Sequence, residues 1–255
     1  MYPILFTIGG IQVFTYGMFF GLGFFVALML LRAHGEREGL DPDDLTDLVV
    51  WLFVSGFLGA RLMYVLTNLQ QFTHDPGGMF RVWEGGLVFY GGALLGLPTA
   101  IYFLRRRKIP MWKAGDAIVP ALALGHAIGR LGCVGAGCCH GLPTDLPWGI
   151  RLNSEHVEAA LRGIPLHPTQ LYESAGLVVL FFGLLWVRKH RKFAGQVSLT
   201  YFTAYPILRA LVEEFRGDSI RGHFIWPWLS SGRVLSILMF TIAMVAMVRL
   251  ARRHA

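Results

Sequence analysis

Residues 14–31 read FTYGMFFGLGFFVALMLL, an uncharged run of eighteen residues. A helix that crosses the hydrocarbon core of a bilayer needs about 20 mostly apolar residues, so this stretch predicts a membrane span. Working outward, six further runs have the same character: 48–66, 87–104, 114–129, 171–187, 197–212 and 234–248. The run at 114–129 carries Asp116 and His126, and the run at 234–248 is short, so these two are the weaker. Composition agrees. Of 255 residues, 54% are apolar and 15% charged, and the mean hydropathy is +0.51, whereas a soluble domain is about 25% charged. No repeat, low-complexity tract or Pro/Ser-rich linker divides the chain, and MYPILFTIGG at its start lacks the basic residues of a cleavable signal peptide. The expectation is an all-α polytopic membrane protein with seven transmembrane helices in a single membrane-embedded domain over residues 1–255.

The net charge is +7, from 23 Lys+Arg against 16 Asp+Glu. Basic residues collect on the cytoplasmic side of short membrane loops. With seven spans, fourteen of them fall on one side: Arg32 and Arg37, then Arg105, Arg106, Arg107, Lys108 and Lys113, then Arg188, Lys189, Arg191 and Lys192, then Arg249, Arg252 and Arg253. Seven fall on the other: Arg81, Arg130, Arg151, Arg162, Arg216, Arg221 and Arg233. The N-terminus is therefore expected outside and the C-terminus in the cytoplasm. Much of the surplus charge is topology, which argues against a nucleic-acid partner. The outer segments 130–170 and 213–233 hold most of the unusual polar residues, so chemistry is expected near the outer leaflet.

Arg61 and Arg209 lie inside apolar runs. A charge there costs about 2.5–3.5 kcal/mol on insertion scales and usually faces the interior of a helix bundle. A structural ion pair, Arg61 with Asp116 or Arg209 with Glu213, is the alternative to a ligand site. In RALVEEFR at 209–216, Arg209, Glu213 and Arg216 are spaced i, i+4, i+7 and predict one helix face. Arginine forks match phosphate oxygens, so such a face suits a phospholipid headgroup; for Arg216 alone, reaching to the interface is the plainer explanation. GRLGCVGAGCCHG at 129–141 has too many glycines for a stable ordinary helix and reads as an anion-binding turn opened by Arg130. The three cysteines of the chain, Cys133, Cys138 and Cys139, fall there beside His140. Zinc, with His126 and His140 completing the set, matches no standard spacing; a catalytic thiolate is possible; packing or a disulfide is favoured. HPTQLYE at 167–173 is a dense polar cluster at a span entrance, in which Glu173 could orient an arginine. Tyr16 and Tyr90 are interface anchors or ligand contacts, and the Gly-Gly pairs in WEGGLVFYGG at 83–92 let a helix or a headgroup come close.

These segments, in this order, resemble the prolipoprotein diacylglyceryl transferase family. The resemblance rests on TYG at 15–17, GARLMYV at 59–65, VWEGGLVFYGG at 82–92, GR at 129–130, HPTQLYE at 167–173, RALVEEFR at 209–216 and LSSGRVLS at 229–236. It implies an enzyme of the bacterial inner membrane, active at its periplasmic face, that moves the diacylglyceryl group of phosphatidylglycerol to the lipobox cysteine in the signal peptide of a preprolipoprotein. A thioether forms and glycerol phosphate leaves. Membrane lipid and the signal peptide are the implied partners, and no metal or cofactor is expected.

Carried over residue by residue, the resemblance implies Arg130, Arg209, Tyr90 and Glu213 as catalytic. It implies Tyr16, Arg61, Arg216, His140, His167, Gln170, Tyr172 and Glu173 as substrate-binding. The sequence departs from the family's usual pattern at Tyr90, where His is usual and is a proposed base. It departs again at Cys133, Ala136 and Cys138, where Asn, Asn and Glu are usual, and at His126, where Gln is usual. A tyrosine of ordinary pKa near 10 can donate a hydrogen bond but is a poor base at neutral pH, which leaves His140, His167 or Glu213 to accept the thiol proton. A non-catalytic or altered-specificity phospholipid-binding paralogue is the alternative function.

Overall fold

Each of the seven apolar runs folds as a helix. The computed structural model describes residues 4–8, 11–73, 75–82, 85–155, 157–217 and 231–254. Trp83, Glu84, Arg221, Leu229 and Ser230, used in the sequence reading, lie outside the described residues. The helices are α1 (Thr15–Arg37), α2 (Pro42–Thr67), α3 (Leu69–Thr73), α4 (Phe89–Arg106), α5 (Met111–Ala136), α6 (Thr169–His190), α7 (Gln196–Glu213) and α8 (Ser231–His254). Two short antiparallel pairs accompany them, β1 (Ile4–Ile8) with β2 (Ile11–Phe14) and β3 (Ile150–Arg151) with β4 (Pro165–Leu166). Among the described residues, α1, α2, α5, α6 and residues 233–253 of α8 are long and apolar enough to cross a membrane. This reverses the ranking from sequence: α5 and α8, expected to be weak, are among the five, whereas α4 and α7 are not. The latter two have 18 residues each, about 27 Å of helix, and contain Pro98 and Pro206.

The chain forms two units, Arg32–Ala114 and Met1–Leu31 with Gly115–Ala255. In Arg32–Ala114, Asp41 caps α2 by accepting from the Asp43 amide at 2.8 Å, Pro42 occupies the first turn, and Asp43 and Asp44 set negative charge against the positive end of the helix. Arg107, at the end of α4, pairs with Asp44 at 3.0 Å and Asp47 at 3.2 Å. The two helices touch backbone to backbone. A Cβ on Gly59 would run into the Gly91 carbonyl, and one on Gly92 would lie 2.9 Å from the Gly56 carbonyl oxygen. The Val88 amide donates to the Ala60 carbonyl at 3.0 Å. Gly91-Gly92 therefore serves helix contact, in the manner of small residues in membrane helices.

In the other unit, α1 and α5 meet in the same way. A Cβ on Gly125 would lie 2.9 Å from the Gly23 carbonyl oxygen, and one on Gly132 would lie 3.1 Å from Phe19. These contacts correct the expectation for residues 129–141. Gly129, Gly132 and Gly135 do not break the chain out of its helix; α5 continues to Ala136 because Gly132 and Gly135 admit Tyr16, Phe19 and Thr15 of α1. Only Gly137–Gly141 is non-helical. Val119 and Ala123 of α5, Phe181 and Leu184 of α6, and Val197 and Tyr201 of α7 share one buried cluster. Asp116, fully buried, accepts from the amides of Gly195 (2.7 Å) and Ser198 (2.9 Å) and the Ser198 hydroxyl (2.9 Å), with Arg191 at 3.3 Å. It caps α7, whose own N-cap is a glycine at φ 95°. The sequence offers Arg61 with Asp116 only as an alternative to a ligand site; the partner found for Asp116 is Arg191. Between α5 and α6, β3, β4 and the buried Leu152, Val157 and Leu166 form a small cap.

Candidate functional site

Three helices bring their polar faces together in the unit Met1–Leu31 with Gly115–Ala255. On α5, His126, Arg130 and Cys133 are spaced i, i+4, i+7. On α7, Tyr201, Tyr205, Arg209 and Glu213 recur every four residues. The first turns of α6 bury Thr169, Gln170, Glu173 and Ser174. Spacings of three and four place side chains on one helix face.

Glu173, only 1% exposed, is the centre. Its Oε1 accepts from Arg130 Nη2 at 2.9 Å and from the Tyr205 hydroxyl at 3.3 Å, with His126 Nε2 at 3.8 Å. A carboxylate taken so far out of water persists because Arg130 compensates it. Arg209 pairs with Glu213 at 2.6 Å, and His126 lies in the electrostatic field of Arg130, Glu173 and Arg209 together. The His126 and Tyr205 rings are 5.6 Å apart. Arg130 Nε and Gln170 Oε1 are buried and have no hydrogen-bond partner among the described residues. A buried polar group left unpaired costs about 1–3 kcal/mol, and these two atoms retain hydrogen-bonding capacity for a polar group.

The remaining sequence candidates fall around this cluster with distinct roles. Gln170 donates to the Cys138 carbonyl at 2.6 Å and Thr169 to the Cys139 carbonyl at 2.8 Å, so the first turn of α6 holds the Cys-rich turn. His167 and Tyr172 meet at 3.2 Å, and Trp148 donates to the Tyr172 hydroxyl at 2.7 Å. His140 is buried, its Nδ1 3.0 Å from the Gly141 carbonyl. Tyr16, in the first turn of α1, shares an electrostatic environment with Arg130 and all three cysteines. Arg216 is a correction: α7 ends at Glu213, so Arg216 is not on the Arg209–Glu213 face but in a bridge paired with Gly141. The cysteines are a second one. All three are free thiols, not a disulfide. The sulfurs lie within 4.8 Å of one another, and neither His126 nor His140 belongs to that group.

Two candidates belong to Arg32–Ala114. Tyr90 is exposed in the first turn of α4, edge-on to Phe89. Arg61 is buried and saturated by carbonyls: Nε to Met79 at 2.9 Å, Nη1 to Gly85 at 2.7 Å and Gly86 at 3.0 Å, Nη2 to Gly78 at 2.6 Å and Arg81 at 3.3 Å. The left-handed φ angles of Gly85 (89°) and Gly86 (76°) form part of this cradle.

The chain matches the family model for prolipoprotein diacylglyceryl transferase over residues 3–249. It belongs to that family. Among its relatives, the phosphatidylglycerol–prolipoprotein diacylglyceryl transferase of Geobacter sulfurreducens is 36% identical, with 98% of this chain and 96% of the relative covered. The proteins of the same name from Clostridium tetani (32% identical, 95% and 94% covered) and Legionella pneumophila strain Corby (37%, 94% and 93%) align over similar lengths. Within this family member, sequence reasoning missed Tyr205 as a site residue and left His126 outside the site. The signal for both was present: Tyr205 stands four residues before Arg209, and His126 four before Arg130.

Proposed function

We propose that this chain transfers the diacylglyceryl group of phosphatidylglycerol to the cysteine thiol of a prolipoprotein. Family membership over nearly its whole length supports the reaction class. The observation that carries the site assignment is the Arg130–Glu173 pair, buried beside His126, Tyr205 and Arg209, with an unpartnered Arg130 Nε.

The chemistry asks for such a place. The thiol sulfur attacks the glyceryl carbon that bears the phosphate ester. A C–S bond forms, the C–O bond breaks, and glycerol phosphate leaves. A phosphodiester with one negative charge becomes a monoester with two, so cations aimed at the leaving oxygen lower the barrier, most strongly where water is scarce. Arg130 and Arg209 take that role; Glu173 and Glu213 orient them. Those carboxylates are committed to ion pairs, His140 faces its neighbour's carbonyl and His167 faces Tyr172, so we assign acceptance of the thiol proton to His126. Tyr16 is kept as a substrate contact, whereas Tyr90, implied as catalytic by the resemblance, is exposed in the unit Arg32–Ala114 and is assigned no step. Arg61 acts through the loop it holds.

We further propose seven spans in one membrane-embedded domain of the bacterial inner membrane, with the N-terminus outside, the C-terminus inside and the site facing the periplasm. The basic residues support this orientation. With alternating spans, the start of α6 and the ends of α5 and α7 share one side, which this orientation makes the periplasmic one. Complementation tests the function. Expression in cells depleted of their own transferase should restore lipidated prolipoprotein, with thioether product and released glycerol phosphate. A folded, membrane-inserted chain that yields neither would overturn the proposal.

A further inference from the structure

The turn after α5 gathers every sulfur nucleophile of the chain, and the transfer chemistry above uses none of them. Cys133 is on the last turn of α5, and Cys138 and Cys139 follow its end. Their three sulfurs fall within 4.8 Å of one another as free thiols. Gly137, at φ 71°, caps α5 as glycines commonly do, whereas Cys139, at φ 60°, holds a conformation that costs a side-chain-bearing residue about 1–3 kcal/mol and persists where the surroundings enforce it. The enforcement is visible: Gln170 and Thr169 hold the Cys138 and Cys139 carbonyls. Packing alone explains a buried cysteine such as Cys133, but not two further half-buried thiols, one on a strained residue, within 4.8 Å of it.

We propose that Cys133, Cys138 and Cys139 form a three-thiolate site for a thiophilic divalent cation of the zinc class. A zinc–sulfur bond of about 2.3 Å places tetrahedral sulfurs about 3.8 Å apart, a small closure from the observed spread. Three thiolates around a divalent ion carry one net negative charge, and Arg130 and Arg216 provide the positive surroundings. The second shell is in place, since the backbone that carries the ligands is pinned by buried side chains of α6. No histidine joins the group among the described residues, so the fourth position is left to an exogenous ligand, the pattern of a reactive rather than a structural zinc site. Resting on the transferase reading, the substrate thiolate would fill that position, where a cation held by Cys133, Cys138 and Cys139 would supply positive charge to the sulfur anion.

The test uses the full-length chain in detergent, stripped of metal and titrated with Co(II) or Zn(II). One equivalent should bind, Co(II) should give a thiolate-to-metal charge-transfer band, and about one proton per bound thiol should be released. Cys138→Ser and Cys139→Ser should each weaken binding by tenfold or more with α-helical content unchanged. A lipobox peptide should then shift the Co(II) spectrum, and the same peptide with Ser for Cys should not. Absence of stoichiometric binding, or a disulfide between any two of these cysteines in the protein as isolated, would overturn the site. Metal bound with no peptide response would overturn only the fourth ligand. Neither readout depends on turnover, so failure of the transferase reading shows separately in the complementation assay.

Discussion

Arg61 and Arg130 are both arginines in apolar helices, and they solve the same problem in opposite ways. Arg61 spends its guanidinium on five backbone carbonyls of residues 78–86 and lies against the rings of Tyr64 and Phe72. Arg130 meets a single carboxylate through Nη2 and keeps a buried Nε without a partner. A neutral, complete cradle holds a cation in place and shapes the chain around it. A paired cation with spare N–H capacity is prepared to receive an anion. Intramembrane charge is thus a signal of importance, but the partner set decides which kind.

The largest effects that would break this contrast are on turnover. Arg130→Ala and Arg209→Ala should each lower kcat by about 10²–10³-fold or more, the scale of removing one donor to a developing oxyanion. Removing Arg130 also leaves Glu173 buried and unpaired, so the double variant Arg130→Ala/Glu173→Gln separates chemistry from folding: it should recover stability and not activity. Phosphatidylglycerol–prolipoprotein transfer measured on detergent-solubilised protein checks both, and near wild-type turnover in either single variant would end the assignment.

Arg61→Ala should read out mainly on stability. Five carbonyls lose charged donors, and hydrogen bonds to charged groups contribute about 1.5–3 kcal/mol each before relaxation and water make up part of the loss. A net destabilisation of about 3 kcal/mol or more is expected, seen as a lower thermal midpoint, with kcat per folded molecule changed by less than tenfold. A 10²-fold fall in kcat at unchanged stability would show that Arg61 touches the substrate after all. Between these extremes lies Tyr205→Phe. It removes one hydroxyl from Glu173 and should cost about 1 kcal/mol, roughly five- to tenfold in kcat with little change in KM.

Fold and site were legible in the sequence to different degrees. The seven apolar runs all became helices because hydropathy over some twenty residues is a strong, local signal. The faces of α5 and α7 were also local: Arg130, Arg209 and Glu213 were read from them, while His126 and Tyr205, four residues before Arg130 and Arg209, were passed over. The reading failed where tertiary contact overrode local preference. Glycine weakens an isolated helix, yet Gly132 and Gly135 lie in α5 because a neighbouring helix approaches there. The i+7 spacing of Arg216 says nothing of where α7 stops, and the chain leaves the helix to pair with Gly141. Arg61 looked like a ligand site because its acceptors are carbonyls of residues 17–25 positions ahead, which no side-chain pattern announces.

The smallest effect expected comes from the rim of the Arg61 cradle. Asp75 caps the short 3-10 turn Pro76–Phe80, accepting from the Gly78 amide while Arg61 holds the Gly78 carbonyl. Arg81 donates to the Asp75 carboxylate, and this hydrogen bond, more than any other cause, holds the Asp75 carboxyl below the ordinary carboxylate range. A carboxyl whose folded-state pKa is depressed adds stability above its unfolded pKa, about 3.9, and loses it as pH falls through the lower folded value. Asp75 is exposed, so salt and water screen the pair and the gain is small. Asp75→Asn should therefore unfold slightly earlier than wild type at pH 7. The gap should narrow below about pH 4 and also shrink with added salt. Thermal unfolding of the two proteins across that range is the measurement. A gap that persists unchanged into acid would mean that Asp75 supports the turn through hydrogen-bond geometry, which its amide replacement disturbs at every pH, and not through charge. The rim would then hold its turn as the Arg61 core does, by filling backbone groups, and the contrast with the carboxylate-paired Arg130 would widen.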